Sequence, residues 1–329
     1  MRLSIEVSEA VIDQASDNAS TLRHLSLTCT EFLPRARYHL FLSIVIQTMA
    51  QMLSSRDFLD AHPWLPPVVH RVAGLLIPLR EDYSKDGSKK PIHLLDVVPV
   101  HLLIRFPNLR VWTMASGSPL GLSLHRSALR CYRHYGSRIH YLHLLDACFE
   151  GMSDFAGLIS AFTSIHTLAC SSITFRKADE NDSSQVTLRS NTLSRHPPIS
   201  TLRCWLSKLD TKTNIRAIEY LLRLTSHDGA MLHNLNVTFN TQGKDLKYFE
   251  RLEKSMRSLS QLSSLTLVID EDIPEILHSC ARIVESVGRI HPRLDVQVEF
   301  KANPLPTLGS RISYLGPRAS TVRPCLSDK

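Results

Sequence analysis

At 329 residues, with 43% hydrophobic side chains and only 12 glycines, the chain can bury a sizeable core and is neither disordered nor fibrous in composition. Its net charge of +7 points toward nucleic acid until the charge is located. Residues 301–329 carry five basic residues against Asp328, a net +4 of that excess, and elsewhere bases are scattered among acids without a run of like charge, which argues against a nucleic-acid face.

Residues 3–41 read as two or three short amphipathic segments. Val7, Val11, Ile12 and Ala15 fall on one helical face, with Glu9 and Asp13 pointing away. Leu22, Leu25, Cys29, Phe32 and Leu33 recur at helical steps, behind the candidate N-caps Asn18, Ser20 and Thr21. Pro34 predicts a break or kink near Leu33. Helices this short bury little surface alone, so the segment reads as a docking module. Leu42 to Phe58 continues as an apolar-rich segment, and the prolines between Ala61 and Pro67 end it. Val68 to Leu79 reads as a strand and Arg80 to Lys90 as a turn.

From Ile92 onward, helical segments alternate with aliphatic strands. The predicted strands are Leu109–Met114, Ile139–Leu144, Ile165–Leu168, Ile199–Leu206, Leu232–Phe239, Leu262–Ile269 and Leu294–Phe300, whose first residues lie 30, 26, 34, 33, 30 and 32 apart. The predicted helices are Ile92–Phe106, Ser153–Phe162, Ile215–Leu224, Leu246–Leu259 and Ile273–Ile290. Several strands share one phrase, apolar at i, i+3 and i+5: Ile139/Leu142/Leu144, Leu232/Leu235/Val237 and Leu262/Leu265/Leu267. The last two positions sit two apart on a strand and so share a face. The phrase resembles the strand of a leucine-rich repeat, although the units are longer than usual and the Asn ladder is absent. The expected architecture is an irregular, leucine-rich-repeat-like α/β solenoid with a parallel sheet on its concave side. A compact α/β domain built from the same alternation is the alternative.

Gly117–Arg138 and Arg176–Pro198 read as polar inserts on the surface, and the tail from Asn303, with four prolines, as disordered. His140, His143 and Asp146 could share a metal only on a helix; a strand separates the two rings onto opposite faces. Gly117-Ser118-Pro119-Leu120-Gly121 has Pro where a nucleophile elbow needs Ser, and Gly243-Lys244 lacks the upstream glycine of a phosphate loop. No enzyme signature and no cofactor are expected. Seven cysteines, far apart and without a C-x-x-C pair, suggest reduced thiols. With no cationic leader before an apolar stretch and no run long enough to span a bilayer, cytoplasm or nucleus is the expected location.

Leu3-Ser4-Ile5-Glu6-Val7 resembles the opening of an F-box, whose usual pattern is Leu-Pro-x-Glu and an aliphatic residue. Leu25-Ser26-Leu27-Thr28-Cys29-Thr30-Glu31-Phe32 resembles its second half, and Pro34-Arg35-Ala36-Arg37 through Leu40-Phe41 is similar to the ending found in many fungal F-box proteins. Ser4 stands where that family has Pro, and Phe32 where it has Trp. The resemblance implies a three-helix F-box-like module over residues 1–45, a helical linker over 46–67, a repeat domain over 68–300 and a basic tail over 301–329. It further implies a substrate-recognition subunit of an SCF-type ubiquitin ligase. In that family the module docks on a Skp-type adaptor, and through it on cullin and RING subunits, while the repeats hold a target protein. Leu3, Val7, Val11, Leu25, Leu27 and Phe32 are the expected adaptor-binding or module-core residues, two sets that sequence does not separate. The alternative is an interaction scaffold of the same architecture outside ubiquitination.

Overall fold

Several strands of this chain start from one short phrase, and that phrase decides which face the strand buries. The computed structural model describes residues 4–75, 94–115, 122–176, 197–206, 211–226, 232–239, 246–259, 261–269 and 274–300. Three helices open it: α1 (Ile5–Gln14), α2 (Ala19–Thr28) and α3 (Leu33–Phe41). Helices and strands then alternate: β1 (Ser43–Ile46), α4 (Met49–Ala61), β2 (Arg71–Leu75), α5 (Leu94–His101), β3 (Val111–Ala115), α6 (Arg126–Tyr135) and β4 (Tyr141–Leu145). There follow β5 (Cys148–Phe149), α7 (Met152–Ala161), β6 (Thr167–Ser171), β7 (Thr174–Phe175), β8 (Thr201–Leu206) and α8 (Thr211–Ser226). The last elements are β9 (Asn234–Phe239), α9 (Leu246–Met256), β10 (Ser264–Ile269), α10 (Pro274–Ile290) and β11 (Asp295–Phe300).

Nine strands form one sheet in the order β1-β2-β3-β4-β6-β8-β9-β10-β11, and every neighbouring pair is parallel. Spatial order is therefore chain order throughout. Parallel crossovers share one hand, so a sheet that never reverses its direction of growth carries its helices on one face. A doubly wound α/β domain needs a reversal to cover both faces. The register makes the result visible. Ile44, Val72, Trp112, Leu142, Leu168, Leu202, Leu235, Leu265 and Val296 stand side by side in one row. Two residues on, Ile46, Gly74, Met114, Leu144, Cys170, Cys204, Val237, Leu267 and Val298 form a second. Apart from Ile44 and the β11 valines, all are buried, and each fully buried Leu contributes about 1.5–3 kcal/mol of transfer free energy.

Facing these rows are the helices. Phe249, Leu252 and Met256 of α9 and Ile276, Cys280, Ile283 and Val287 of α10 are buried, with Val284 half-buried, as the helical spacing predicts. The intervening sheet residues lie on the other face, where Thr113, Tyr141, His143, Arg203, Asn236 and Gln297 are exposed or half-buried and Ala169, Thr238 and Val268 are buried.

Three expectations differ from the structure. Residues 46–67 are no linker: β1 pairs with β2, and α4 places Met52 and Leu59 in the main core. The module therefore ends at Phe41, before residue 45, and the short strand Ser-Ile-Val-Ile was hidden in an apolar stretch that suits either helix or strand. Gly117–Arg138 is more than a surface insert, because it contains α6. Arginines and histidines dominate that segment, but Ala128 and Tyr132, four apart, turn inward, and the Tyr132 hydroxyl donates to the Leu95 carbonyl at 2.9 Å. Thirdly, β5 and β7 form a small second ladder beyond the main sheet, which Leu122 extends by a bridge to Phe149. The chain reaches it through Asp146 (φ 46°) and Ser172 (φ 53°), corresponding positions just past β4 and β6. Their amides still donate to Ser171 and Trp205 carbonyls, so the left-handed turn keeps its backbone bonds. Most of the Arg176–Pro198 insert and the whole tail lie outside the described residues.

Candidate docking surfaces

The first surface is on the N-terminal helices. Their core is small and separate from the main one: Ile12, Leu22 and Ala36 are buried, with Ala15, Leu25, Phe32 and Leu40 packed around them. Ser4 caps α1 by accepting from the Val7 amide at 3.4 Å, and Asn18 caps α2 by accepting from Thr21 at 3.0 Å. The break expected near Leu33 falls over residues 29–32, between α2 and α3, and Pro34 follows it. It lies in the first turn of α3, where a missing N–H leaves no bond unmade.

Asp13 does not point away. Its carboxylate takes two bonds from Arg35, at 2.7 and 2.8 Å, and lies 2.7 Å from His39 Nε2. The Arg35 guanidinium, and then the His39 ring, hold its pKa well below the usual carboxylate range. Three residues of sequence-distant α3 thus close on α1 by one polar clasp and one apolar contact, Ala36.

The structure separates the residues singled out in this module. Leu25 and Phe32 pack on its core. Val7, Val11 and Leu27 are 48%, 45% and 84% exposed, and Leu3 lies outside the described residues. Ile5, at 68%, belongs with the exposed set. Sequence reasoning missed it because the inward face runs through Ser8 and Ile12, one step round from Val7 and Val11. Phe41 ends α3 with only Leu42 between it and β1, and its ring lies 6.1 Å from Phe58 and 6.0 Å from Trp64. The junction with the sheet body is short and packed.

The second surface is the face of the sheet without helices. At its centre the His143 ring lies between Tyr141 (6.2 Å) and Trp205 (5.9 Å), above the fully buried Ala169 of the strand between them. Burial lowers the His143 pKa, and its Nε2 has no hydrogen-bond partner among the described residues. Toward β11 the face turns to polar side chains, Asn234, Asn236, Ser264, Thr266 and Gln297, with Asp295 and Glu299 on the last strand. Aromatic rings flanked by hydrogen-bonding groups suit contact with another polypeptide.

His140 turns instead to the strand-start edge, so the His140-x-x-His143-x-x-Asp146 motif is not brought together. Among the described residues no group of His, Cys, Asp and Glu is placed to hold a metal ion, and no helix is long and apolar enough to cross a membrane. Cys170 and Cys204 are neighbours in the buried row, and burial pushes their thiols up, as it pushes Cys280 up to about 12. These thiols behave as small core side chains. Comparison with protein-family models and with curated proteins finds no match for this chain.

Proposed function

We propose that this chain is the substrate-recognition subunit of an SCF-type ubiquitin ligase, an F-box-like module joined to a leucine-rich-repeat-like solenoid. Its N-terminal helices dock on a Skp-type adaptor, and the sheet body holds a target protein. The chain works by proximity, keeping the target near an activated ubiquitin without bond chemistry of its own.

One observation carries the reading. The three helices close a core of their own and still leave Ile5, Val7, Val11 and Leu27 in solvent, although the whole sheet body is close by. Apolar side chains left out in so small a unit suit a partner. The sheet's monotonic order and the repeated apolar phrase support the solenoid half of the reading. The packed junction at Phe41 supports the mechanism, since a stiff connection holds adaptor and target at a set separation.

Co-purification with a Skp-type adaptor tests this, beside a Val7→Asp/Leu27→Asp double variant. Both side chains are exposed, so the helices stay folded, whereas Asp at half-buried Leu25 or Phe32 would unfold them. A stoichiometric complex that the double variant loses is expected. No complex with the wild type overturns the adaptor role and leaves an interaction scaffold.

A further inference from the structure

We infer that the edge of the sheet formed by the strand starts docks an acidic, extended polypeptide segment. The edge comprises the three residues before each strand of the main sheet and the strand's first residue. Arg71, Arg110, Arg138 and Arg293 all lie there, and all are exposed. Asp295 is the acid among the described residues of that row. None of the four arginines forms an ion pair among the described residues. Their neighbours are histidines. One backbone ladder runs through His70, Arg110, His140, His166, Ser200, His233 and Ser263, the amide of each donating at 2.9 Å to the carbonyl of the one before.

Side chains tie the middle of this edge together. Arg110 Nη1 lies 2.6 Å from His140 Nε2, and His140 Nδ1 and His166 Nδ1 reach the Ser164 carbonyl at 3.2 and 2.9 Å. An arginine can only donate, so His140 accepts through Nε2 and donates through Nδ1. The guanidinium is held by a ring that accepts its hydrogen bond, so among the described residues its charge is uncompensated and its other N–H groups are available. The far edge differs, with Asp146, Glu150 and Glu299 at or beyond the strand ends, Glu150 being paired to Arg176 at 3.8 Å.

Charge complementarity selects an anionic partner, and geometry selects the kind. Arg71, Arg110 and Arg138 belong to adjacent strands, roughly 5 Å apart each. They sit at the register position of Val111 and Tyr141, one residue before it and three residues before it, so they spread about 10 Å across the sheet and about 10 Å along it. Alternate side chains of an extended peptide project about 7 Å apart, so two carboxylates fit that span, each open to a two-pronged guanidinium bond. A nucleic-acid strand calls for open aromatic platforms, and Tyr141, the tyrosine that begins β4, is half-buried against His143 on the open face. The inference rests on reading the sheet body as an interaction scaffold, and does not depend on the adaptor role.

Fluorescence anisotropy of the full chain with a labelled oligoglutamate peptide tests it. An Arg71→Glu/Arg110→Glu/Arg138→Glu variant should bind at least about tenfold more weakly. The corresponding Gln variant, milder toward folding, should lose less but still clearly. An Arg311→Glu/Arg318→Glu/Arg323→Glu variant should change affinity less than about twofold, which separates the edge from the basic tail. Absence of wild-type binding overturns the proposal. So does a loss confined to the tail variant, or edge-dependent binding of a single-stranded oligonucleotide tighter than that of the peptide. Circular dichroism and adaptor co-purification of the same variants show whether a loss belongs to this edge or to the adaptor reading.

Discussion

The two parts of this molecule are built on opposite principles. The N-terminal helices enclose Ile12, Leu22 and Ala36 and rely on a clasp from Asp13 to Arg35 and His39. The sheet body stacks nine parallel strands, most of them on one apolar phrase, so each unit is completed by the next. A small core with a polar clasp can be lost alone, whereas a stacked core spreads damage to its neighbours. The difference accounts for where apolar side chains remain outside: the module has too few elements to cover them.

Several variants would break or sharpen that contrast. Leu142→Ala, in the centre of the first buried row, should cost about 3–5 kcal/mol and lower the chemical denaturation midpoint of the whole body. Leu22→Ala should cost about 2–4 kcal/mol, but locally. Hydrogen exchange would then speed up in α1–α3 while the β4 and β6 amides stay protected. Equal loss of protection in both parts would show a single cooperative unit. Gly136→Ala sets a Cβ 2.9 Å from the buried Phe162 ring and should cost about 1–3 kcal/mol, read as a drop in melting temperature.

The clasp predicts a smaller and pH-dependent effect. Asp13 has a depressed pKa in the folded chain, so its contribution is complete above the unfolded carboxylate value of about 3.9 and is lost as pH falls below it. Protection factors in α1–α3, corrected for the pH dependence of intrinsic exchange, should therefore fall from pH 5 to pH 3, and Asp13→Asn should remove that dependence while weakening the module at neutral pH. An identical pH response in the variant would show that the clasp contributes nothing. Smallest in stability is Val7→Asp/Leu27→Asp, expected within about 0.5 kcal/mol of wild type by thermal melting, since both residues lie outside the module's core.

Local patterns made much of this fold legible. Ile139, Leu142 and Leu144 announce a strand and its buried face without reference to any other segment, and Phe249, Leu252 and Met256 do the same for a helix. Where composition and spacing disagreed, spacing was the better guide: Ala128 and Tyr132 outweigh the arginines of α6. Within the N-terminal helices, Val7 and Leu25 are equally apolar in sequence. Only the position of α3 against α1 and α2 leaves the first outside and the second within.

The sequence by itself determined the periodic apolar phrase, because a strand's side chains alternate whatever it pairs with. It determined the repeated helix–strand rhythm for the same reason. Tertiary structure alone decided what lies beside what. Arg71, Arg110 and Arg138 are about thirty to forty residues apart along the chain and look scattered there. Parallel stacking in register brings the start of every unit to one edge, so charges that no sequence window contains come together on adjacent strands, within three residues of one register position.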